Sequence, residues 1–266
     1  MALLEASGIR VRFGGLVALD KVSFQVPAGQ IKAIIGPNGA GKTTLFNVVS
    51  GVLRPDGGEV RFDGRLISGR EPHRIASLGV SRTFQTPNLF LRMSVLENVM
   101  VGRHCRSSRG TLSSALRLPG QGREEAEIRE RAMACLGVVG LSGMAEMAVG
   151  ALSFGQRRMA ELGRALATEP RLLLLDEPAS GLNTRETDDL AALIGRIRDG
   201  GVTVLLVEHD MSLVMDVCDD ILVLDHGVPL AEGPPAAVRN DPNVVAVYLG
   251  GSFQHAAGAE SEMRLR

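Results

Sequence analysis

The chain of 266 residues has no tryptophan, one tyrosine and only 3% aromatic residues in all. That poverty excludes the aromatic platforms on which single-stranded nucleic acid stacks. An excess of one charge is missing too. Lys+Arg 29 stands against Asp+Glu 30, a formal net charge of -1, so no global basic field draws the chain to nucleic acid or anionic lipid. Its three cysteines, Cys105, Cys135 and Cys218, are scattered, with no CxxC and no Cys/His cluster. Such usage argues against a disulfide framework and predicts a reducing cytosol. Apolar runs such as residues 202–207 are of strand size and fall far short of the roughly 18 residues of a membrane span. The first residues lack a basic segment and meet Glu5 too early for a signal peptide. What is present is ample core material: hydrophobic residues make up 45% and charged residues 22%, which excludes disorder as the main state.

Short alternating runs at residues 9–13 and 21–26, broken by Gly14-Gly15 and Pro27-Ala28-Gly29, predict antiparallel strands. A continuous apolar strand follows at 31–35, then a Gly-rich turn and a helix from 42 to about 53. A hairpin is expected at 59–67, turning at Asp63-Gly64. From about 84 to 168 the pattern is helical, with a charged helix at 123–136 and an irregular Arg-rich connection over 103–123. The runs 172–175 and 202–207 are apolar throughout, as in strands covered on both faces. Between them a helix is predicted from about 185 to 198, capped by Asn183 or Thr184. Strands alternating with helices predict an α/β fold with a mainly parallel sheet, carrying an N-terminal antiparallel β subdomain and an inserted helical subdomain. One domain over 1–250, with a flexible tail at 251–266, is the expected organisation.

Gly36-Pro37-Asn38-Gly39-Ala40-Gly41-Lys42-Thr43 satisfies GxxxxGK[ST] between an apolar strand and a helix. Glycines let the backbone wrap a polyphosphate, and the helix N-terminus offers aligned N–H groups. Lys42 is placed to reach the β- and γ-phosphates, the Thr43 hydroxyl to ligate Mg²⁺, and Thr44 adjoins them. Asp176-Glu177 ends a buried strand, where ligands of parallel sheets gather. Taken alone the pair would read as solvated charges at a strand end. Beside a complete phosphate loop, Asp176 is a metal-ligand candidate and Glu177 a general base for water. Leu152-Ser153-Phe154-Gly155-Gln156 opens a further helix. Ser153 and Gln156 have capping-box spacing, and the same helix end is a second candidate anion site.

Over about residues 3–250 the chain resembles the ATP-binding cassette (ABC) ATPases. The run 152–156 is similar to their signature, Gln85 to the Q-loop glutamine, 180–183 to the D-loop, His209 to the switch histidine, and Phe13 to the aromatic that stacks on adenine. Two departures stand out: Phe154 replaces the first signature glycine, and Asn183 replaces the usual D-loop aspartate. The resemblance implies ATP and Mg²⁺ as ligands, with Thr43, Gln85 and Asp176 about the metal and Glu177, His209 and Gln85 in hydrolysis. It also implies a sandwich in which each subunit's signature covers the nucleotide of the other.

Phe13-Gly14-Gly15-Leu16, Arg82-Thr83-Phe84-Gln85, the run 179–183 and the ending Val247-Tyr248-Leu249-Gly250 resemble the ATP-binding subunits of branched-chain amino-acid importers. That implies a bacterial machine at the cytoplasmic face of the inner membrane. Its parts are a second ATPase subunit, two transmembrane permease subunits docked near 86–98, and an extracytoplasmic substrate-binding protein. Related importers of urea and amides, the lipopolysaccharide-export ATPase, and soluble ABC ATPases remain as alternatives.

Overall fold

A computed structural model of the chain describes residues 2–104 and 121–247. Most of the Arg-rich connection expected over 103–123, the residues Tyr248 to Gly250 and the tail 251–266 lie outside the described residues. In chain order the elements begin with β1 (Ala2–Phe13), β2 (Leu16–Pro27), β3 (Ile31–Ile35), α1 (Lys42–Val49), β4 (Gly57–Phe62), β5 (Arg65–Leu66) and α2 (Pro72–Ser77). Next come β6 (Val80–Arg82), α3 (Val95–His104), α4 (Gln121–Val138) and short 3-10 turns at Ser142–Met144 and Val149–Ala151. They are followed by α5 (Phe154–Leu166), β7 (Leu172–Asp176), α6 (Thr184–Asp199) and β8 (Thr203–Val207). The last are α7 (Met211–Val217), β9 (Asp220–Asp225), β10 (Val228–Gly233) and α8 (Pro235–Arg239). These residues form two compact units, 1–71 with 205–266, and 72–204, the division falling within β8.

The first unit holds a four-stranded antiparallel sheet in the order β2-β1-β4-β5. The Asp63-Gly64 turn has φ of 51° and 72°, the paired left-handed conformation that suits a two-residue hairpin. β3 is buried at every position, pairs in parallel with β9, and β9 pairs antiparallel with β10. The apolar composition of β3 answers to that double covering. Lys32 is the exception within it: 1% exposed, its ammonium is paired to Asp220 on β9 and Glu232 on β10. α1 stops at Val49, short of the expected 53. Ser50 turns its hydroxyl back onto the Phe46 carbonyl at 2.9 Å, and Gly51 adopts φ 76°, which ends the helical path.

In the second unit β6 and β7 are parallel, and β7 is wholly buried. Between them in sequence stand the inserted helices, with α3 packed on both α4 and α5. α4 runs longer than the predicted 123–136. Two capping boxes set helix starts, the first as its sequence spacing predicts. Ser153 and Gln156 exchange side-chain-to-backbone hydrogen bonds at the start of α5, and Asn183 and Glu186 do the same for α6. Asn183 is thus the cap of α6 and Thr184 its first helical residue. The α/β class, the N-terminal antiparallel sheet and the helical insertion all match the expected architecture.

Candidate functional site

The phosphate loop lies in the first unit, between β3 and α1. Gly36, Gly39 and Gly41 take φ of 149°, 83° and 99°, conformations open to glycine and costly to other residues. A Cβ on Gly36 would sit 2.1 Å from the Leu224 carbonyl oxygen, and one on Gly41 2.7 Å from that of Ala18. Neither glycine is replaceable without moving backbone. Gly41 caps α1 with no side chain accepting from the first turn, which leaves the helix N–H groups suited to an anion. Lys42 is buried, and its ammonium donates to the carbonyls of Gly36 at 2.7 Å and Pro37 at 2.9 Å. The cationic group is therefore folded onto the loop that it would share with a polyphosphate. Asn38 and Thr43 are exposed, Pro37 and Thr44 partly so, and Ala40 is buried, its N–H closing a turn to Pro37.

Two further predicted residues belong to this unit. Phe13 ends β1 with 51% of its surface exposed beside exposed Leu16 and Val17. It is an aromatic available for contact rather than core. His209 follows β8 and is exposed. Its backbone N–H donates to Glu208 at 2.8 Å and its Nδ1 lies 3.7 Å from the same carboxylate. Glu208 is fully buried, so the histidine is tethered at its base while its ring remains accessible.

The second unit brings Gln85, Asp176 and Glu177 together. Gln85 Nε2 donates to Glu177 Oε2 at 2.7 Å. The backbone of Glu177 has φ 46°, a left-handed conformation that costs a β-carbon residue about 1 kcal/mol or more. Such strain is held where the surroundings over-determine it, as at functional turns. Asp176 is 6% exposed and receives a hydrogen bond from Arg82 Nη2 at 2.7 Å. In the signature run Leu152 is buried, Ser153 and Phe154 are exposed, and Gly155 and Gln156 are half-buried. The Phe154 ring approaches Gly181, where an added Cβ would come within 2.9 Å of it.

The donor set proposed for Mg²⁺, namely the Thr43 hydroxyl, the Gln85 amide oxygen and the Asp176 carboxylate, contains one charged ligand. Among the described residues no group of three or more His, Cys, Asp or Glu is placed to hold a metal ion. A single carboxylate suits Mg²⁺ shared with substrate phosphates and water, whereas a dedicated protein cage would need more. By donor chemistry alone a hydroxyl, an amide oxygen and one carboxylate suit such an ion, Thr43 belonging to the first unit and Gln85 and Asp176 to the second.

Sequence reasoning missed four contributors. Arg82 was noted only as part of a motif, yet it pairs with Asp176. Buried Glu208 anchors His209, and buried Arg158 and Glu161 pack on loop backbone. The available signal was slight: two charged residues three apart on the buried side of an otherwise apolar helix stripe.

A family model described as "ABC transporter" matches residues 19–180, and one described as "Branched-chain amino acid ATP-binding cassette transporter" matches 228–254. The chain belongs to the ABC transporter family, as one of its ATPases. It is 47% identical over 249 residues to the high-affinity branched-chain amino acid transport ATP-binding protein BraF of Pseudomonas aeruginosa, covering 93% of this chain and 98% of that protein. The corresponding LivG protein of Escherichia coli is 42% identical with the same coverage. Among solved structures, the ADP conformation of MJ1267, an ATP-binding cassette of an ABC transporter, superposes with a TM-score of 0.83 at 36% identity. That match covers 94% of this chain and 99% of that one. A dimeric structure of the bacterial cassette MJ0796 has a TM-score of 0.73 at 25% identity, covering 87% and 98%.

Proposed function

We propose that the chain hydrolyses ATP to power uptake of branched-chain amino acids through partner permeases. The observation that carries this reading is end-to-end similarity to BraF, extending to the 228–254 segment beyond the general cassette match. Residues 1–250 act as one ATPase domain with a helical subdomain at about 84–168. It works at the cytoplasmic face of the inner membrane, paired with a second ATPase subunit and two permease subunits. A substrate-binding protein outside delivers the cargo. No helix among the described residues is long and apolar enough to cross a membrane, and the exposed Phe90 and Leu91 are offered as part of the permease-docking segment 86–98.

In this reading the loop from Gly36 to Thr44 wraps the triphosphate, with Lys42 exchanging its two carbonyl partners for phosphate oxygens. Phe13 stacks on the adenine. Glu177, steadied by Gln85, accepts a proton from the attacking water, and His209 donates toward the γ-phosphate. Thr43, Gln85 and Asp176 would hold Mg²⁺, which would supply positive charge to offset that of the polyphosphate. The partner's Ser153-to-Gln156 helix end covers the γ-phosphate. Phe154 leaves that contact to Ser153 and Gly155, and Asn183, committed to capping α6, carries no charge for an ion pair across the dimer.

Uptake tests the cargo directly. Cells deleted for this chain are expected to lose high-affinity uptake of radiolabelled leucine, isoleucine and valine, and to regain it with the wild-type chain but not with Lys42→Ala. Undiminished uptake of all three after deletion, with another solute lost instead, would refute this choice of cargo.

A further inference from the structure

Two charged side chains of α5, one turn apart, are buried yet neither belongs to the groups assigned to hydrolysis. Arg158 is 5% exposed and Glu161 2% exposed. Removing such charges from water is costly unless each is bonded, so their partners define what they do. Those partners are loop backbone. Glu161 Oε1 accepts the N–H of Phe84 at 3.3 Å and that of Asn88 at 3.4 Å. Arg158 Nη1 donates to the carbonyl of Phe84 at 2.9 Å, and its Nη2 to the carbonyl of Ser180 at 3.3 Å.

The gripped positions are informative. Phe84 precedes Gln85 and is held at both its N–H and its carbonyl, one by each side chain. Ser180 stands in the turn that Glu177 opens, since the Ser180 N–H donates to the Glu177 carbonyl at 3.1 Å. Arg158 thus spans the two loops that carry Gln85 and Glu177, whose side chains meet at 2.7 Å. The exposed Phe154 ring lies 5.4 Å from the Arg158 guanidinium, within the range of a cation–π contact, and so braces the arginine from the start of the same helix. Burial pushes the Glu161 carboxyl up, opposed by its two backbone donors and by Arg164 and Arg158.

We propose that Arg158 and Glu161 are positioning residues that set the register of Gln85 against Glu177 by clamping loop backbone on both sides. The proposal rests on the reading of Gln85 and Glu177 as hydrolytic groups. It adds what holds them there, and gives Phe154 a local task. One helix therefore joins the Ser153 end to the placement of the catalytic pair.

A double-mutant cycle on the full chain tests it, with steady-state hydrolysis measured over a range of ATP concentrations. Glu161→Ala is expected to lower kcat about tenfold, the scale of a small misplacement at a reacting site. KM for ATP should stay within about twofold, because the phosphate loop is untouched. Glu161→Gln, which keeps an oxygen for the two N–H groups, should retain most of kcat. In a Gln85→Ala background Glu161→Ala should cost less than about twofold more, since coupled residues are non-additive. Should Glu161→Ala fail to fold, Arg158→Lys serves in the same cycle, as one ammonium cannot reproduce the guanidinium fork across two carbonyls. An equal loss of kcat in both backgrounds, or a loss confined to KM, overturns the positioning role. A Gln85→Ala variant with undiminished kcat overturns the assignment of Gln85 itself, which is a separate result.

Discussion

Glu177→Gln is expected to cut the steady-state rate of ATP hydrolysis about a thousandfold, within the range that a general base contributes. The amide has nearly the same shape, so the loop at φ 46° and the contact to Gln85 have no steric reason to change. What is lost is basicity, and an amide cannot take a proton from water. The phosphate loop is built from separate residues whose contacts are with the Gly36 and Pro37 carbonyls, so nucleotide affinity should be retained. Phosphate release and equilibrium binding of a fluorescent ATP analogue, measured on the same preparation, separate the two effects. A rate within about tenfold of wild type would remove Glu177 from the role of base.

Lys32→Met is expected to destabilise the fold strongly although it lies away from the site. Lys32 sits in β3, four residues before Gly36, with its ammonium between Asp220 and Glu232. Methionine fills much of the volume but leaves two carboxylates facing each other with no cation. Breaking a buried ion pair by removing one partner costs roughly 3–5 kcal/mol. Here Asp220 and Glu232 are 26% and 40% exposed in their side chains, and rehydration should hold the loss near about 3 kcal/mol. Urea unfolding followed by circular dichroism reads it as a lowered midpoint at unchanged slope. A loss under about 1 kcal/mol would mean that the pairings contribute no more than an exposed surface ion pair.

The fold was legible where one residue type does one job. The phosphate loop could be read because glycine is demanded at Gly36 and Gly41 by backbone carbonyls that a Cβ would strike. The start of α5 was legible because a capping box is a local exchange between residues three apart, and that of α6 was read to within Asn183 or Thr184. The end of α1 was not, since Ser50 turning onto Phe46 competes with a helical pattern that continues on paper. Within the candidate site, Glu177 was read from its place at the end of a buried strand and Gln85 through resemblance, and the 2.7 Å bond between them spans 92 positions in sequence. Arg82, Arg158, Glu161 and Glu208 were missed for the same reason. Their meaning lies in backbone and carboxylate partners brought close by tertiary packing, and a charged residue in isolation looks like a solvated one. Phe13, read through resemblance as an aromatic for stacking, is half exposed at the end of its strand.

The account turns on a nucleotide being enclosed by two chains, the phosphate loop of one and the Ser153 helix end of the other. Size-exclusion chromatography with light scattering on Glu177→Gln measures this most directly. With ATP and Mg²⁺ the protein should elute at twice the mass of one chain, or as a one-to-one complex when its natural partner subunit is supplied. Without nucleotide it should return to a single chain. A mass that stays at one chain with ATP, with the partner subunit present, would contradict the shared site.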